Sequence, residues 1–395
     1  MTGPRDVVFT FSYETYADAV ARGMMRPPDR ILQTLLGADQ VGGVLVANPF
    51  RSLPSVLSRR LRRTDPGLPS GPRRALITPT RLARADPVDV GRIVRSYRGY
   101  DAALRERARS LGIRRPAVIT TNPLVAAFCP FGWASAVTYF GRDDWLSSAA
   151  RQAYWPAYRA AYRQIRESEI AVAAVSQEII DRIDPLGPSA VIPNGVEPGE
   201  WRGQAPPAPA WLAGIPTPRA VYAGTLDQRL DTEGIAALAA DRPELQIILA
   251  GPAPDPEYVA ALRGIPNVHV HGGMGRAELV ATLRNCQLSL VAHRRTPLTE
   301  AMSPLKVYEY LAAGLPVVSV DLGPIRRADD RILIAASTAE MGPLTDRALA
   351  GGGLTEDERS AFIDSHAWSS RHEAILSLAL RSGLLHRSEE FLPAV

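Results

Sequence analysis

The segment LSLVAHRRTPLTEAMSPLKVYEYLAAGLPVVSV, residues 288–320, decides the fold of this chain. The runs LSLVA and PVVSV at its two ends are short and apolar, as buried strands are. Between them, Ser303 and Pro304 are typical of a helix start and Gly314 of a helix end. The segment therefore predicts strand, loop, helix and strand, with Ser303 as N-cap, Pro304 as the first helical residue and Lys306 as the third.

The same alternation recurs along the chain. Apolar runs with room for a helix between them are VVFTF (7–11), VLVA (44–47), AVIT (117–120), AVTY (136–139), IAVAAV (170–175), AVYA (220–223), QIILA (246–250), VHVH (268–271) and ILIAA (332–336). Near-continuous apolar strands that alternate with helices indicate parallel sheets covered on both faces. For 395 residues, this predicts an α/β protein with two doubly wound, Rossmann-like domains.

Composition marks the domain boundaries. Asn194 and Gly195 form a turn signal, and a cluster of prolines follows them. We predict an N-terminal domain at 1–195, a hinge at 196–218 that holds neither helix nor central strand, and a second domain at 219–370. Residues 371–395 would form a C-terminal helix or tail that could cross back to the first domain. Because ligands bind outside the carboxyl ends of parallel strands, we expect the domains to face each other across a cleft that holds the site.

The overall composition indicates a soluble globular protein, with 46% hydrophobic and 22% charged residues. Cys129 and Cys286 are far apart and show no CxxC spacing, which fits a reducing cytoplasm. The apolar run near the N-terminus is too short for a signal peptide, and no run is long enough for a membrane span. We therefore expect a cytoplasmic protein.

Arginine is concentrated in residues 51–115, which contain 17 arginines but only five acidic residues. The stretch SLPSVLSRRLRR within this region has the pattern of a basic amphipathic helix. Two interpretations stay open: a solvated face, or a surface for anionic membrane or an acidic acceptor, which would place the protein at the inner face of the membrane. Nucleic acid is not expected, because no aromatic residues are interleaved with the basic ones.

Lys306 is the only lysine among 45 basic residues. Bare backbone N–H groups and the positive end of the helix dipole already lie at a helix N-terminus, so a cation there is unfavourable without an anion. A phosphate or diphosphate is the natural anion for such a place. Glu309 lies one turn further on the same face and could accept hydrogen bonds from a ribose diol, or it could simply pair with Lys306.

The stretch SPLKVYEYLAAGLPVV, residues 303–318, resembles the nucleotide-sugar-binding motif of retaining GT-B glycosyltransferases of family 4, in the branch with a PLKxxEYLAxGxPV signature. Four further stretches and one tryptophan are similar to the same branch: RPPDRILQTLL (26–36), YFGRDDW (139–145), IPNGV (192–196), YAGTLDQRLD (222–231) and Trp368. The resemblance implies a GT-B fold and transfer of a sugar from a nucleoside diphosphate sugar with retention of anomeric configuration.

The resemblance also implies roles for individual residues. Lys306 and Arg229 would bind the donor diphosphate, and Glu309 would hold the ribose. For Arg229, an ordinary surface arginine is the alternative. The remaining implied donor-binding residues are the loop residues Gly224 and Thr225, Met274 against the base, and the backbone N–H groups of Met302, Ser303 and Leu305. For Met274, a place in the apolar core is the alternative.

The chain departs from the family pattern at two places. No second basic residue follows Arg229, and Asp231 is better interpreted as the N-cap of the next helix. Ala301 stands where many members carry a glutamate that contacts the donor sugar, and the adjacent Glu300 could substitute for it.

Asp143 and Asp144 follow the strand AVTY, at the carboxyl end of a parallel sheet. Either could act on the acceptor hydroxyl, and either could cap a helix instead. The pair is not a DxD motif and the histidines show no ligand spacing, so we expect no metal and no cofactor beyond the sugar donor.

The mechanism implied is a front-face reaction in which Lys306, Arg229 and the helix N-terminus stabilise charge on the leaving diphosphate. The sequence does not identify the acceptor; a glycan, a cell-envelope polymer and a natural product are all compatible with it. One alternative function is a catalytically silent GT-B homologue that binds a nucleotide or a partner protein. Another is a nucleotide-sugar epimerase or hydrolase, which would need a carboxylate pair near the sugar.

Overall fold

The computed structural model describes residues 3–54, 66–83 and 86–380. Its internal contacts divide the chain into two compact units. The first unit comprises Met1–Pro193 together with Arg371–Val395, and the second unit comprises Asn194–Ser370. Each unit has its own apolar core.

The strands and helices are numbered in chain order. The strands are β1 Arg5–Thr10, β2 Val41–Ala47, β3 Arg51–Ser52, β4 Arg74–Ile77, β5 Thr80–Arg81, β6 Ala117–Thr120, β7 Ala136–Gly141, β8 Ala171–Ala174, β9 Ser189–Val191, β10 Arg219–Ala223, β11 Gln246–Ala250, β12 Val268–His271, β13 Leu288–Val291, β14 Val317–Val320 and β15 Leu333–Ala335. The α-helices are α1 Tyr16–Ala21, α2 Pro27–Gly37, α3 Val90–Ser110, α4 Pro123–Phe128, α5 Trp155–Glu167, α6 Gln177–Ile183, α7 Pro198–Trp201, α8 Ala210–Ala213, α9 Thr232–Asp241, α10 Arg276–Arg284, α11 Pro297–Ala301, α12 Leu305–Ala312, α13 Gly323–Arg326, α14 Gly342–Gly351, α15 Glu356–Ser365 and α16 Trp368–Ala379. Short 3-10 helices lie at Ala149–Tyr154, Pro256–Gly264 and Thr338–Glu340.

A parallel sheet forms the centre of each unit. In the part of the chain that the structure describes, the first sheet has seven strands in the order β4-β2-β1-β6-β7-β8-β9. The second has six strands in the order β12-β11-β10-β13-β14-β15, and β3 pairs with β5 apart from both. Central strands are buried along their length because helices cover both faces of each sheet. The prediction of two doubly wound, Rossmann-like domains is confirmed.

Each sheet reverses its direction of growth once. In the first unit, β1 pairs with β2 on one side and with β6 on the other. In the second unit, β10 pairs with β11 on one side and with β13 on the other. The loops that leave two such neighbouring strands diverge to opposite faces, which opens a crevice at their carboxyl ends. Ligands of doubly wound sheets commonly bind at such a reversal point.

The proline-rich segment 196–218 is not the structureless hinge that its composition predicts. It contains the short helices α7 and α8: Pro198 is the first residue of α7, where a missing N–H is tolerated, and Pro209 is the N-cap of α8. Trp201 of α7 is fully buried in the core of the second unit. Arg284 donates to the Trp201 carbonyl at 2.8 Å, so the segment is a packed part of this unit.

The C-terminal helix α16 begins in the second unit and ends in the first. The Trp368 N–H donates to the Val196 carbonyl at 2.9 Å. From Arg371 onward the chain belongs to the first unit, where His372 contacts Thr34 and Leu380 accepts from Arg5. Residues 381–395 lie outside the described residues.

Much of the arginine-rich region belongs to helix α3. Its apolar residues are buried, and the arginines between them are exposed, which is a solvated face. Residues 55–63 of the predicted basic amphipathic helix (52–63) lie outside the described residues, so membrane contact through this helix stays a prediction. Within the described ranges, no helix combines the length and apolarity needed to cross a bilayer.

We expect Gly251→Ala to destabilise the protein by about 2 kcal/mol or more. A Cβ at this position would lie under 3.0 Å from the Gly224 carbonyl, so the backbone after β10 would have to move. Urea denaturation measures the loss. The matched control is Gly264→Ala, where a Cβ meets nothing within 4 Å. Equal stability of the two variants would contradict the prediction.

Candidate functional site

The candidate site lies where β10 and β13 end, at the reversal point of the second sheet. Gly224 and Thr225 leave β10, whereas His293 follows β13 and leads through α11 to α12. Helix α12 carries Lys306 near its N-terminus. The site is thus assembled from two strand ends and the start of one helix.

Helix α12 begins one residue later than its sequence predicts. Pro304 is the N-cap and Leu305 the first helical residue, so Lys306 is the second. The side chain of Ser303 does not cap the helix; its carbonyl accepts from Asn194 Nδ2 at 2.6 Å, which anchors the approach to the helix. The predicted end is confirmed, because Gly314 follows the helix with a φ of +87°.

The Lys306 ammonium lies against an aromatic ring and an imidazole. Its Nζ is 3.5 Å from the centroid of the Tyr222 ring and 3.3 Å from Nε2 of His293. The absence of a side chain at Gly224 makes room for it, since a Cβ there would be 2.9 Å from Nζ. In the described part of the chain, no carboxylate is within ion-pair distance of Lys306. A partly buried cation is therefore held by a π face and a ring nitrogen.

This environment disfavours positive charge. Burial lowers the pKa of Lys306 well below its usual range, and the nearby charge of Arg229 lowers it further. Burial also lowers the pKa of His293, as do the charges of Lys306 and Arg229, and this favours the neutral imidazole. His293 Nε2 is 3.1 Å from the Tyr222 hydroxyl, and no described residue hydrogen-bonds to its Nδ1. An anion at this place would reverse the penalty on Lys306.

Arg229 follows β10 in the loop that begins at Gly224. Its guanidinium donates to both oxygens of Asp227, at 2.9 and 2.7 Å. Partial burial would raise the pKa of Asp227, but hydrogen bonds and charge from Arg229 hold it below its usual value. Asp231 accepts from the Gly234 N–H at 3.1 Å, which confirms it as the N-cap of α9.

Glu309 is buried and does not pair with Lys306. Its Oε1 accepts from Arg276, whose guanidinium also donates to Glu200 at 2.6 and 2.8 Å. Arg276 lies 5.1 Å from the ring centroid of Trp201. Burial would lower the pKa of Arg276, but the carboxylates of Glu309 and Glu200 raise it. The alternative in which Glu309 pairs with Lys306 is wrong, because Arg276 takes that partnership and orients the buried carboxylate.

The other predicted donor-binding residues have varied surroundings. Glu300 lies on α11 and pairs with Arg295 at 3.3 Å. The Met302 N–H donates to Thr299 at 3.4 Å, which leaves the amides of Ser303 and Leu305 as the unpaired ones among the three predicted. Met274 packs against the core of the second unit, with its sulfur 3.7 Å from the Thr282 hydroxyl.

The two adjacent acids of the first unit have different environments. Asp144 is buried; it accepts from the Leu146 N–H at 3.1 Å and from the Ser147 hydroxyl, so it caps the turn after β7. Asp143 is 37% exposed in its side chain and pairs with Arg142 at 2.8 Å. Asp144 therefore has the capping role that was the alternative for either acid, whereas Asp143 is the acid accessible to a ligand.

Sequence reasoning missed four residues around the site: Tyr222, Asp227, Arg276 and His293. For His293 a signal existed, because it directly follows an apolar strand beside the predicted motif. Tyr222 is the last but one residue of β10 and looked like a core residue, which by burial it is. No spacing in the sequence connects Arg276 with Glu309, since they are 33 positions apart.

Comparison with known proteins identifies the second unit more closely. Residues 218–342 match the family model of glycosyl transferases group 1. The putative teichuronic acid biosynthesis glycosyltransferase TuaH of Bacillus subtilis strain 168 is 29% identical over 104 residues. This match covers 26% of the present chain and 26% of TuaH, so it spans about a quarter of that relative.

Solved structures match nearly the whole chain. Sucrose-phosphate synthase from Thermosynechococcus elongatus superposes with a TM-score of 0.65 at 14% identity, over 95% of this chain and 98% of its own. Anabaena HepE, solved in complex with UDP and glucose, has a TM-score of 0.56 at 15% identity, over 95% of this chain and 97% of its own. At these identities the likeness shows the fold, which is the GT-B architecture of two Rossmann-like domains.

The lowered pKa of Lys306 predicts a pH-dependent stability difference between the wild type and Lys306→Met. Above the folded-state pKa and below 10.5, the unfolded chain binds more protons at Lys306 than the folded chain does. The stability of the wild type should therefore rise relative to Lys306→Met as the pH approaches 10.5 from below. Urea denaturation of both proteins across this range tests it. A difference that stays constant with pH contradicts the assigned environment.

Proposed function

We propose that this protein is a glycosyltransferase that moves a sugar from a nucleoside diphosphate sugar to an acceptor hydroxyl with retention of anomeric configuration. The observation that carries the proposal is Lys306: a single lysine at the start of α12, with no carboxylate partner among the described residues. The match of residues 218–342 to glycosyl transferases group 1 supports it, since that range contains both Lys306 and Arg229.

The donor diphosphate is proposed to bind between the start of α12 and the loop after β10. Lys306 supplies a compact charge, and the amides of Ser303 and Leu305 supply N–H donors at the positive end of the helix. Arg229 can add a second charge by shifting one of its hydrogen bonds from Asp227 to phosphate. The complex of HepE with UDP and glucose supports a donor of this class.

The rest of the donor is proposed to lie along α12 and the neighbouring strand ends. Arg276 occupies Oε1 of Glu309, so the ribose diol would be held through Oε2. Thr225 and Met302 line the approach to the phosphates, and Met274 is the proposed contact for the base. For the sugar, Glu300 is the candidate, and reaching it requires release of the exposed pair with Arg295.

The proposed mechanism is a front-face transfer. The bond between the anomeric carbon and the diphosphate oxygen breaks while the acceptor oxygen bonds to the same face of that carbon. The acceptor proton passes to the leaving diphosphate. Lys306, Arg229 and the helix N-terminus stabilise the negative charge that develops on the diphosphate, which lowers the barrier. We propose that Asp143 orients the acceptor hydroxyl and that neither a metal nor a cofactor takes part.

A silent homologue that binds nucleotide without turnover is the alternative. The observation that favours it is the environment of Glu300 and Ala301: the former pairs with an exposed arginine and the latter is a buried alanine. Radiolabel transfer assays with UDP-, GDP-, dTDP- and ADP-sugars, run with and without EDTA, distinguish the two functions. Nucleotide binding without transfer to any acceptor tested supports the alternative.

We expect Lys306→Ala to weaken UDP binding by about 10- to 100-fold and turnover by about 100-fold or more, because it removes a charge-assisted contact to the diphosphate. The melting temperature should stay within a few degrees, since no ion pair is lost. Lys306→Arg should also lose UDP affinity and turnover, because the space beside Gly224 does not accommodate the wider guanidinium group.

Calorimetric titration with UDP measures both variants. Arg326→Ala is the matched control, because it removes an exposed basic side chain that pairs with Asp321, outside the site. Unchanged UDP affinity in Lys306→Ala would contradict the assignment of the donor site.

Asp143→Asn and Asp144→Asn should differ in kind. The first should lower the transfer rate about 10-fold or more with little change in melting temperature, because Asp143 is proposed to act on the acceptor. The second should lower stability by about 1–2 kcal/mol, because Asp144 caps a buried turn. The transfer rate and the thermal denaturation of both variants are measured against the wild type. A wild-type transfer rate in Asp143→Asn would contradict a role for Asp143 in orienting the acceptor and would leave only its ion pair with Arg142.

A further inference from the structure

The first unit contains a cavity of about 250 Å³ at the reversal point of its own sheet. Ser12 and Tyr13 reach it from the end of β1, and Asn122 reaches it from the end of β6. These two strands are the neighbours on which the sheet reverses, so the cavity lies where ligands of such sheets bind. No residue of the proposed donor site lines it.

Positive charge dominates the wall of this cavity. Of the described residues that line it, Arg51, Arg81 and Arg151 are basic and Asp86 is the one acid. Arg81 is paired with Asp86. Arg151 has no carboxylate within ion-pair distance among the described residues; its guanidinium lies 5.4 Å from the centroid of the Tyr13 ring. The cavity is therefore built for an anionic group.

Aromatic rings form much of the remaining wall. Tyr13 is 36% exposed, and it packs edge-on against Trp145 at a centroid distance of 5.8 Å. Arg142 lies 5.1 Å from the centroid of the same Tyr13 ring, so two guanidiniums hold the ring in place. A fixed, exposed ring offers an apolar face for the C–H side of a saccharide ring.

The size of the cavity suits one ring with one charged group. Sites for drug-sized ligands begin at about 300 Å³, which this cavity does not reach. A nucleoside diphosphate sugar would not be enclosed by it, whereas a monosaccharide carrying a phosphate or a carboxylate would. Size, charge and ring faces thus point to the same class of ligand.

We propose that this cavity binds the acceptor and that the acceptor is an anionic saccharide, with its phosphate or carboxylate held by Arg151. Its role as acceptor rests on the proposed function, whereas binding of an anionic sugar does not. Arg51, whose guanidinium donates to the Tyr13 carbonyl at 2.6 Å, steadies the loop that carries the Tyr13 ring.

Calorimetric titration of the full chain with glucose 6-phosphate, glucuronate and glucose tests the proposal. At least one of the two anionic sugars should bind at least about 10-fold more tightly than glucose, because it gains a charge-assisted contact. The sugar that binds identifies the anionic group as phosphate or carboxylate. Equal affinity for all three sugars, or binding of none, overturns the proposal.

Arg151→Gln should weaken binding of the anionic sugar about 10-fold or more and leave its affinity no higher than that for glucose. Arg151→Lys, which keeps the charge, should retain part of the affinity. The matched control is Arg159→Gln: this exposed arginine also lies over an aromatic ring, at 5.9 Å from Trp155, but outside the cavity. An equal loss in both glutamine variants would mean that only overall charge matters, and it would overturn the site.

Titration of the same preparations with UDP separates the two proposals. Arg151→Gln should bind UDP as the wild type does, because Arg151 belongs to the first unit and the donor site to the second. Binding of UDP without binding of any anionic sugar overturns this inference and leaves the proposed function standing. Binding of an anionic sugar without UDP upholds the anion site and removes the proposed donor.

Discussion

Strand β13 pairs in parallel with β10, and the candidate donor site depends on this pairing. The chain leaves β10 to build β11 and β12 on one side, then returns to place β13 on the other. Only such a return brings His293 beside Tyr222 and lets the following helix start over the end of β10. Parallel strands need crossover connections, so residues far apart in sequence meet at one sheet edge.

The electrostatics of the site follow from that meeting. Lys306 is held by the ring of Tyr222 and by a neutral histidine, and neither compensates its charge as a carboxylate would. Arg229 is compensated by Asp227, and Glu309 by Arg276. Among the described residues, these two arginines and their carboxylates are thus paired within the protein, whereas Lys306 has no carboxylate within ion-pair distance. A positive charge on Lys306 is thus unfavourable in the free protein, and an anion bound beside it would relieve that penalty.

Local signals explain which predictions succeeded. The glycine after α12 and the Asp231 cap depend on backbone conformation within one turn, and the structure has both. The start of α12 was predicted one residue early, because Ser303 has a side chain suited to capping but gives its carbonyl to the distant Asn194 instead. Segment 196–218 was predicted as a hinge from its prolines. Proline is tolerated in the first turn of a helix, and burial of Trp201 holds the segment against the second unit.

The sequence by itself determined the class of fold and most of the strands along the chain, and it singled out Lys306 at a helix start. These depend on hydrophobic runs, turn residues and the electrostatics of a helix start, all of which act over a few neighbouring residues. Only the tertiary structure decided the partners: Tyr222 and His293 for Lys306, Arg276 for Glu309, and the capped turn for Asp144. Arg276 and Glu309 show the reason, since the helices that carry them are brought together by the burial of apolar surface, which prescribes no sequence spacing.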